Sequence, residues 1–341
     1  MKKIFSILSL FVAFAITTVS CSNDDDPISL STLATITDFT ISINDVDADD
    51  ITYDLGSAIT IDVPFGTDIS AVTPTMVISD GATITPASGE VISFVDGEAM
   101  SFVVTAEDGV TTKEYSVTIN IKGEVGSGSQ LLTYQIADLF GENSITTYTY
   151  NESNFVSSYS VELDDWGTLI TAEYTIIYDD KNQVIEKKST EAKESTVYEY
   201  NDAGQIVEAL YSNDGTLTYT YAYSYDAAGN LSKEVRTDHT DADATTEVAF
   251  TIVDGNVTVE TRYGDDYVAT YDDKNNPFKG QYPAAYSAIH AAIQLVNTNN
   301  PVSGTLADDA ITYEYNTDNY PTKSSYTYFD GLATVEKTFT Y

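Results

Sequence analysis

The sequence is short of the residues that most enzyme and nucleic-acid chemistry needs. It has one cysteine in 341 residues, so no disulfide can form within the chain. It has two histidines, His239 and His290, far apart in sequence. No HExxH, GxSxG, phosphate-loop or paired-cysteine pattern occurs. Two isolated histidines and one cysteine support no Ser-His-Asp or Cys-His nucleophile set. Basic residues are also scarce, 15 Lys and Arg against 53 Asp and Glu, for a formal charge of −38. Such a chain is repelled by nucleic acid and by anionic headgroups. Only the first residues contain an apolar run of any length, and no other stretch could span a bilayer.

That run opens the chain: MKKIFSILSLFVAFAITTVSCSNDDDP. Lys2 and Lys3 precede Ile4–Ile16, and small polar residues lead to Cys21. The pattern predicts a signal peptide over 1–20. Thr18-Val19-Ser20-Cys21 resembles a bacterial lipobox, which implies lipidation at Cys21 and an acyl-anchored, otherwise soluble protein. Residues 21–31 then read as an acidic tether. Asp24-Asp25-Asp26 resembles the surface-export signal of Bacteroidota lipoproteins, which implies an outer-membrane anchor facing the cell exterior. Removal of the leader leaves 13 basic residues against 53 acidic.

Residues 32–122 alternate apolar and polar positions between Asp, Gly and Pro turn signals. In EYSVTINI, Tyr115, Val117, Ile119 and Ile121 share one face at period two. The spacing predicts an Ig-like β-sandwich. Ala106-Glu107-Asp108-Gly109 followed by Tyr115 resembles the cadherin-like or Ig-like modules of Bacteroidota surface lipoproteins, where the module acts as a spacer. Residues 123–130, rich in Gly and Ser, read as a flexible linker.

Beyond the linker the composition changes. Of 26 tyrosines, all but Tyr53 and Tyr115 lie there. The stretch repeats a motif: YTYNESNFV at 148, YDDKNQVI at 178, YEYNDAGQIV at 198 and YSYDAAGNLS at 223. Weaker copies stand at 251, 271, 313 and 326. Tyrosines two apart share a strand face, the Asn or Asp that follows starts a turn, and Gly204 or Gly229 closes it. Each unit is a hairpin that cannot bury its own apolar face, so the units must join into one antiparallel sheet. The chain therefore reads as mainly β, a sandwich followed by an antiparallel hairpin-repeat sheet over 131–341. YPAAYSAIHAAIQLV carries a helical stripe, predicting one helix near 283–296 across that sheet.

YEYNDAGQI and YSYDAAGNL resemble the YD or RHS repeats of bacterial surface and toxin-shell proteins. YDDKNNPF, a helix, NTNNP and YEYNTDNYPTK are similar to a DUF4595-type lipoprotein domain of Bacteroidota. That resemblance implies architecture and location; it carries no ligand or catalytic residue.

The longest tyrosine ladder, Tyr219, Tyr221, Tyr223 and Tyr225, admits two readings. The rings supply core area at ~150–250 Å² each, or they form an exposed platform that stacks on sugars. Trp166, beside Asp164 and Asp165, is either a sugar contact or a packing residue at a hairpin edge. NDVDADD (44–50) and DHTDADA (238–244) concentrate oxygen atoms but lack EF-hand spacing, so calcium is weakly indicated and solvated turns fit equally. Acidic residues cluster at turns, and no pair of them is marked as a glycosidase couple. The expected function is non-enzymatic binding of an external ligand, a neutral or basic glycan, at the cell surface. The alternative is a structural or adhesion subunit that docks on an outer-membrane partner.

Overall fold

The structure is a computed structural model and describes residues 29–341 except 56–57, 139–141 and 166. The leader, Cys21, the acidic run behind it and Trp166 lie outside the described residues. No described helix is long and apolar enough to cross a membrane.

The molecule is mainly β, as the alternation requires. Strands from Ile36–Ser42 to Thr112–Ile121 form a two-stranded and a five-stranded sheet. Their alternate residues meet in one core. Phe39 crosses Phe102 edge-on at 5.7 Å, and Ile61, Val63, Val117 and Ile119 are fully enclosed. Ile59–Val63 pairs in parallel with Thr112–Ile121, and every other pairing among the described strands is antiparallel.

From Thr133–Asp138 onward, sixteen strands build one sheet. Thirteen follow each other as a meander from Thr133–Asp138 to Pro301–Gly304. The last three return to the other edge, with Ala333–Thr340 beside Thr133–Asp138. The two free edges, Pro301–Gly304 and Thr312–Tyr315, then approach each other. Ile311 N donates to the Val302 carbonyl at 2.8 Å, and the Tyr313 hydroxyl donates to the Pro301 carbonyl at 2.8 Å. The sheet is thus a nearly closed cylinder, which leaves little edge exposed.

The repeated tyrosine–Asx pair has a structural reason at one end of this cylinder. Asn201 Oδ1 accepts from the N–H groups of Ala203 and Gln205 at 3.0 and 2.9 Å. Asp179, Asp226 and Asn316 do the same for residues two and four ahead. Each turn closes through a left-handed fourth residue: Asn182 (φ 63), Gly204 (φ 74), Gly229 (φ 85) or Asn319 (φ 62). The tyrosine just before the turn ties its unit to the previous one. Tyr178, Tyr200 and Tyr225 donate their hydroxyls to the carbonyls of Val156, Val184 and Ile206 at 2.6, 2.8 and 2.6 Å. Such a bond contributes about 1 kcal/mol, and it also fixes which strand follows which.

Two weaker copies of the motif build something else. At 251 the chain turns through Asp254 and Gly255, both at positive φ, as a two-residue hairpin between Val253 and Asn256. At 326 the turn Phe329–Gly331 lies at the opposite end of the cylinder.

The expected helix is shorter than 283–296. α1 (Ala284–Ile289) ends because the His290 ring Nδ1 engages the Tyr286 carbonyl at 2.8 Å, while the His290 N–H goes to Ser287. Side-chain amides take over downstream, Asn297 Nδ2 donating to the Ala292 carbonyl at 2.8 Å. Nor does the segment lie across an open sheet; the sheet wraps round it. Phe278 meets Tyr134 and Phe339, Tyr286 meets Tyr198, and Ala291 and Ile293 join the cluster of Val257 and Ala269. Residues 276–300 are therefore a plug. Buried Asn276 and Asn300 brace it by side-chain hydrogen bonds to the Leu295 and Asn275 carbonyls, and Asn297 Oδ1 ties it to the wall by accepting from Val257 N at 2.8 Å.

The linker read as a flexible coil is also bonded in place. Gly126 N–H donates to Ser153 and Gly128 N–H to Gly280. A side chain at Gly128 would meet the Gly280 backbone at 2.8 Å, and one at Gly126 would meet the Asn154 carbonyl. These glycines serve close backbone approach rather than flexibility.

Candidate functional site

The plug fills the Asx-turn end of the cylinder. Beyond it, toward the hairpins at 190–193, 214–215 and 263–264, the inner wall carries charge. Register decides which side chains share that wall. Tyr219, Tyr221 and Tyr223 stand opposite Asp238, Arg236 and Glu234 on one side, and Tyr219 and Tyr221 stand opposite Tyr211 and Ala209 on the other. Tyr221 and Tyr223 pack on the cluster that contains Tyr286 and Ile289, so this face is the inner one. Ala222 and Ser224 point outward and are exposed.

Four of the few basic residues lie over tyrosine rings on the inner wall. Arg236 lies 5.0 Å from the Tyr219 ring centre, Lys187 5.5 Å from Tyr174, Arg262 4.8 Å from Tyr267, and Lys337 5.7 Å from Tyr326. Each such contact contributes about 0.5–2 kcal/mol, more as water is excluded. Carboxylates stand among them. Tyr174 donates to Glu194 at 3.2 Å, Tyr328 to Asp138 at 2.7 Å, and Arg262 Nε lies 2.7 Å from Glu260. Arg236 Nε is shielded from solvent and has no hydrogen-bond partner. Burial raises the pKa of Glu234 against the pull of Arg236, and burial lowers that of Lys187. Burial also brings Lys337 down to about 8; its Nζ donates to Gln294 Oε1 of the plug at 2.9 Å. Beside Asp138, Arg262, Gln294 and Tyr328 the wall borders an open cavity of about 540 Å³.

The chamber beyond the plug thus combines that cavity, whose own rings are Tyr326 and Tyr328, with stacked rings elsewhere on the same wall, Tyr159 on Tyr174 at 4.9 Å and Tyr211 on Tyr219 at 5.6 Å, which do not line the cavity itself. That is the equipment of a site for a polar ring-shaped ligand. The structure divides the ladder singled out from sequence. Tyr219 and Tyr221 are half-buried on the chamber wall. Tyr223 packs on the plug, and the Tyr225 hydroxyl is bound to Ile206. The charged partners were missed, although a signal existed. In so acidic a chain, an arginine inside the strand that follows the tyrosine ladder is conspicuous, although only the register sets it opposite Tyr221.

The two acidic loops do other work. Asp47 Oδ1 accepts from Asp49 N at the start of a short 3-10 turn, and Asp238 Oδ1 accepts from Thr240 N. Among the described residues no group of three or more His, Cys, Asp or Glu is placed to hold a metal ion. His290 is enclosed in the plug, where burial lowers its pKa to about 4; His239 sits at a mouth hairpin, 2.6 Å from Asp243.

Comparison with known proteins bears chiefly on the first unit. Residues 36–119 match the family model described as SGBP, N-terminal, the N-terminal module of Bacteroidetes surface glycan-binding proteins. No curated protein matches the chain. Among solved structures it is similar to a porin-like protein from Bacteroides uniformis, with 13% identity, a TM-score of 0.43, and 62% of this chain and 98% of that one covered. It is also similar to a putative glycoside hydrolase from Bacteroides thetaiotaomicron, at 14% identity and a TM-score of 0.23, with 93% and 92% covered. A Photorhabdus luminescens Tc holotoxin pore matches at 11% identity and a TM-score of 0.19, over 74% of this chain and 14% of that one.

Proposed function

We propose that the protein is a lipid-anchored surface protein that binds a glycan and does not cleave it. One observation carries the reading: a chamber lined by tyrosine faces and charged hydrogen-bonding groups, in a chain whose first unit matches a glycan-binding family's module. Tyr219 and Tyr221 stack on the saccharide, Trp166 is a further contact, and Arg236 with Glu234 orients hydroxyl groups. The wall carries four cations (Lys187, Arg236, Arg262, Lys337) against five carboxylates (Asp138, Glu194, Glu234, Asp238, Glu260), far nearer neutrality than the chain as a whole, so a neutral glycan fits. The Tyr219→Ala variant is expected to bind about tenfold more weakly, equivalent to ~1.4 kcal/mol, with the fold retained and the melting temperature lowered by only a few degrees. Equal affinity in titrations of variant and parent would refute the chamber as the site.

A hydrolytic reading has one observation in its favour. Glu234 and Glu260 lie on the same wall, with only the strand Ala244–Val253 between theirs, and burial raises the pKa of Glu234. Against it, one Glu260 oxygen faces Arg262 and the other accepts from Ile293 N at 3.5 Å, so its carboxylate already holds the plug.

The location is read from the leader. The acyl chains on Cys21 hold the protein at the outer membrane, facing outward, and residues 32–122 lift the cylinder from it. Cys21→Ala is expected to move the protein into the soluble fraction; a variant still pelleting with membranes would refute the anchor.

A further inference from the structure

The Asx-turn end of the cylinder, opposite the chamber, carries a groove that the reading above does not use. Its largest part, about 670 Å³, lies between the exposed ring of Phe65, the turns at 179–183 and 201–205, and α1. A second part of about 340 Å³ continues past Gly229 and Asn230 along the same helix. Both volumes fall in the range of ligand sites, and junctions between units commonly hold them. The floor is flat because α1 presents Ala284, Ala285 and Ala288. The junction is pinned: Lys181 pairs with Asp96, and both Glu124 carboxylate oxygens accept from Ala284 N.

The fifth residue is Phe155, Gln183, Gln205, Asn230 and Tyr320 in the turns begun by Asn151, Asp179, Asn201, Asp226 and Asn316, its N–H donating to the first residue's side-chain oxygen. Closure uses that residue's backbone N–H; Gln205 Oε1 also accepts from Asn201 Nδ2 and Asn230 Nδ2 donates to Asp226 Oδ2, both at 3.2 Å, but Phe155 and Tyr320 show that the turn closes without an amide. Yet the three successive turns bordering the groove all carry one. A Cβ built on Gly204 would lie 4.0 Å from Gln183 Nε2, and one on Gly229 would lie 3.7 Å from Gln205 Nε2. The Gln183 and Gln205 amides therefore lie over the bare glycine of the next turn, Gln205 Nε2 reaching the Gly229 carbonyl at 3.4 Å, and with Asn230 they leave further donors and acceptors in a row along the groove. Successive turns are two strands apart, so the row repeats every ~9.5 Å.

We propose that the amide row Gln183, Gln205 and Asn230, over the alanine face of α1 and facing Phe65, is a second binding site for an extended, neutral saccharide chain. A chain of hydroxyls supplies donors and acceptors all along its length. Of the charges lining the groove, Lys181 pairs with Asp96, Glu124 holds Ala284 N and Lys122 donates to Thr52, while exposed Asp202 adds a carboxylate that disfavours an anionic ligand. An extended peptide repeats its facing side chains every ~6.7 Å and falls out of step with the row. That the ligand is a saccharide rests on the reading above; where it binds does not.

The test titrates the full chain in detergent with neutral linear oligosaccharides of increasing length. Binding is expected to strengthen with length. The Gln183→Ala/Gln205→Ala double variant is expected to weaken the longest ligands at least tenfold. Ala284→Trp, at an exposed position, should block them with no change in melting temperature, and Tyr219→Ala should leave this component intact. Unchanged affinity in both groove variants overturns the proposal. Loss of all binding in Tyr219→Ala, with none lost in the groove variants, overturns it and leaves the chamber standing. Binding of extended peptides but no saccharide overturns both.

Discussion

Raising the pH above 10 is expected to unfold the cylinder cooperatively, with tyrosinate absorbance and loss of β signal moving together. The cause is burial. Enclosure pushes the phenols of Tyr150 and Tyr198 up to about 12, and those of Tyr148, Tyr159, Tyr282 and Tyr286 higher still. The sign follows from proton counts. Above pH 10 the unfolded chain releases phenolic protons that the folded chain retains, so stability falls as pH rises; below pH 10 both states are protonated and nothing is lost. Each fully enclosed phenol costs about 1.4 kcal/mol per pH unit. Four of them remove a margin of about 5–15 kcal/mol within roughly one to three units. The two-sheet unit, whose described tyrosines are Tyr53 and Tyr115 alone, should survive longer. Reversible tyrosine ionisation near pH 10 with an unchanged β signal would contradict the enclosed rings.

Tyr286→Ala is expected to destabilise the cylinder by about 3–5 kcal/mol, the cost of emptying a large aromatic site. Tyr286 is 3% exposed and touches three rings: Tyr198 edge-on at 5.2 Å, Tyr282 at 5.0 Å and His290 at 4.3 Å. Its hydroxyl contact to Tyr198 is long, 3.4 Å, so Tyr286→Phe should cost less than about 1 kcal/mol. Denaturant unfolding reads both variants. A transition for Tyr286→Ala at the parent's midpoint would mean that the sheet does not depend on its plug.

Both predictions turn on a feature that local pattern reveals only in part. The hairpin repeat was legible because its signals are local. Tyr198 and Tyr200 share a face at period two, and Asn201 followed by Gly204 can make only a few turns. The joining of hairpins into one sheet was legible too, since no single hairpin buries its face. Closure was not, because it depends on residues far apart, such as Ile311 reaching Val302 and the last strand reaching the first of the sheet. The plug was misjudged for a similar reason. Ala285, Ile289 and Ile293 keep a helical stripe, but the side chains of His290 and Asn297 take the carbonyls that a longer helix would need.

The candidate site divided along the same line. A ladder of tyrosines is visible in any sequence, whereas its surroundings come from four neighbouring strands and the plug. Arg236 meets Tyr219 and Tyr221 only through the register of two strands, and Lys337 meets Tyr134 only because the chain's end returns to the first strand of the sheet. The local charge of the wall also departs from that of the chain. The whole sequence carries a formal charge of −38, while the chamber gathers Lys187, Arg236, Arg262 and Lys337.

The most direct test incubates the full chain with a broad panel of neutral, acidic and basic glycans, with calcium and with EDTA, and follows both binding and the release of new reducing ends. The account predicts saturable binding of at least one neutral glycan, undiminished by EDTA, with no new reducing ends. New reducing ends abolished by Glu234→Gln would contradict it in favour of hydrolysis. No binding to any glycan would contradict it in favour of a structural subunit that docks on a protein partner.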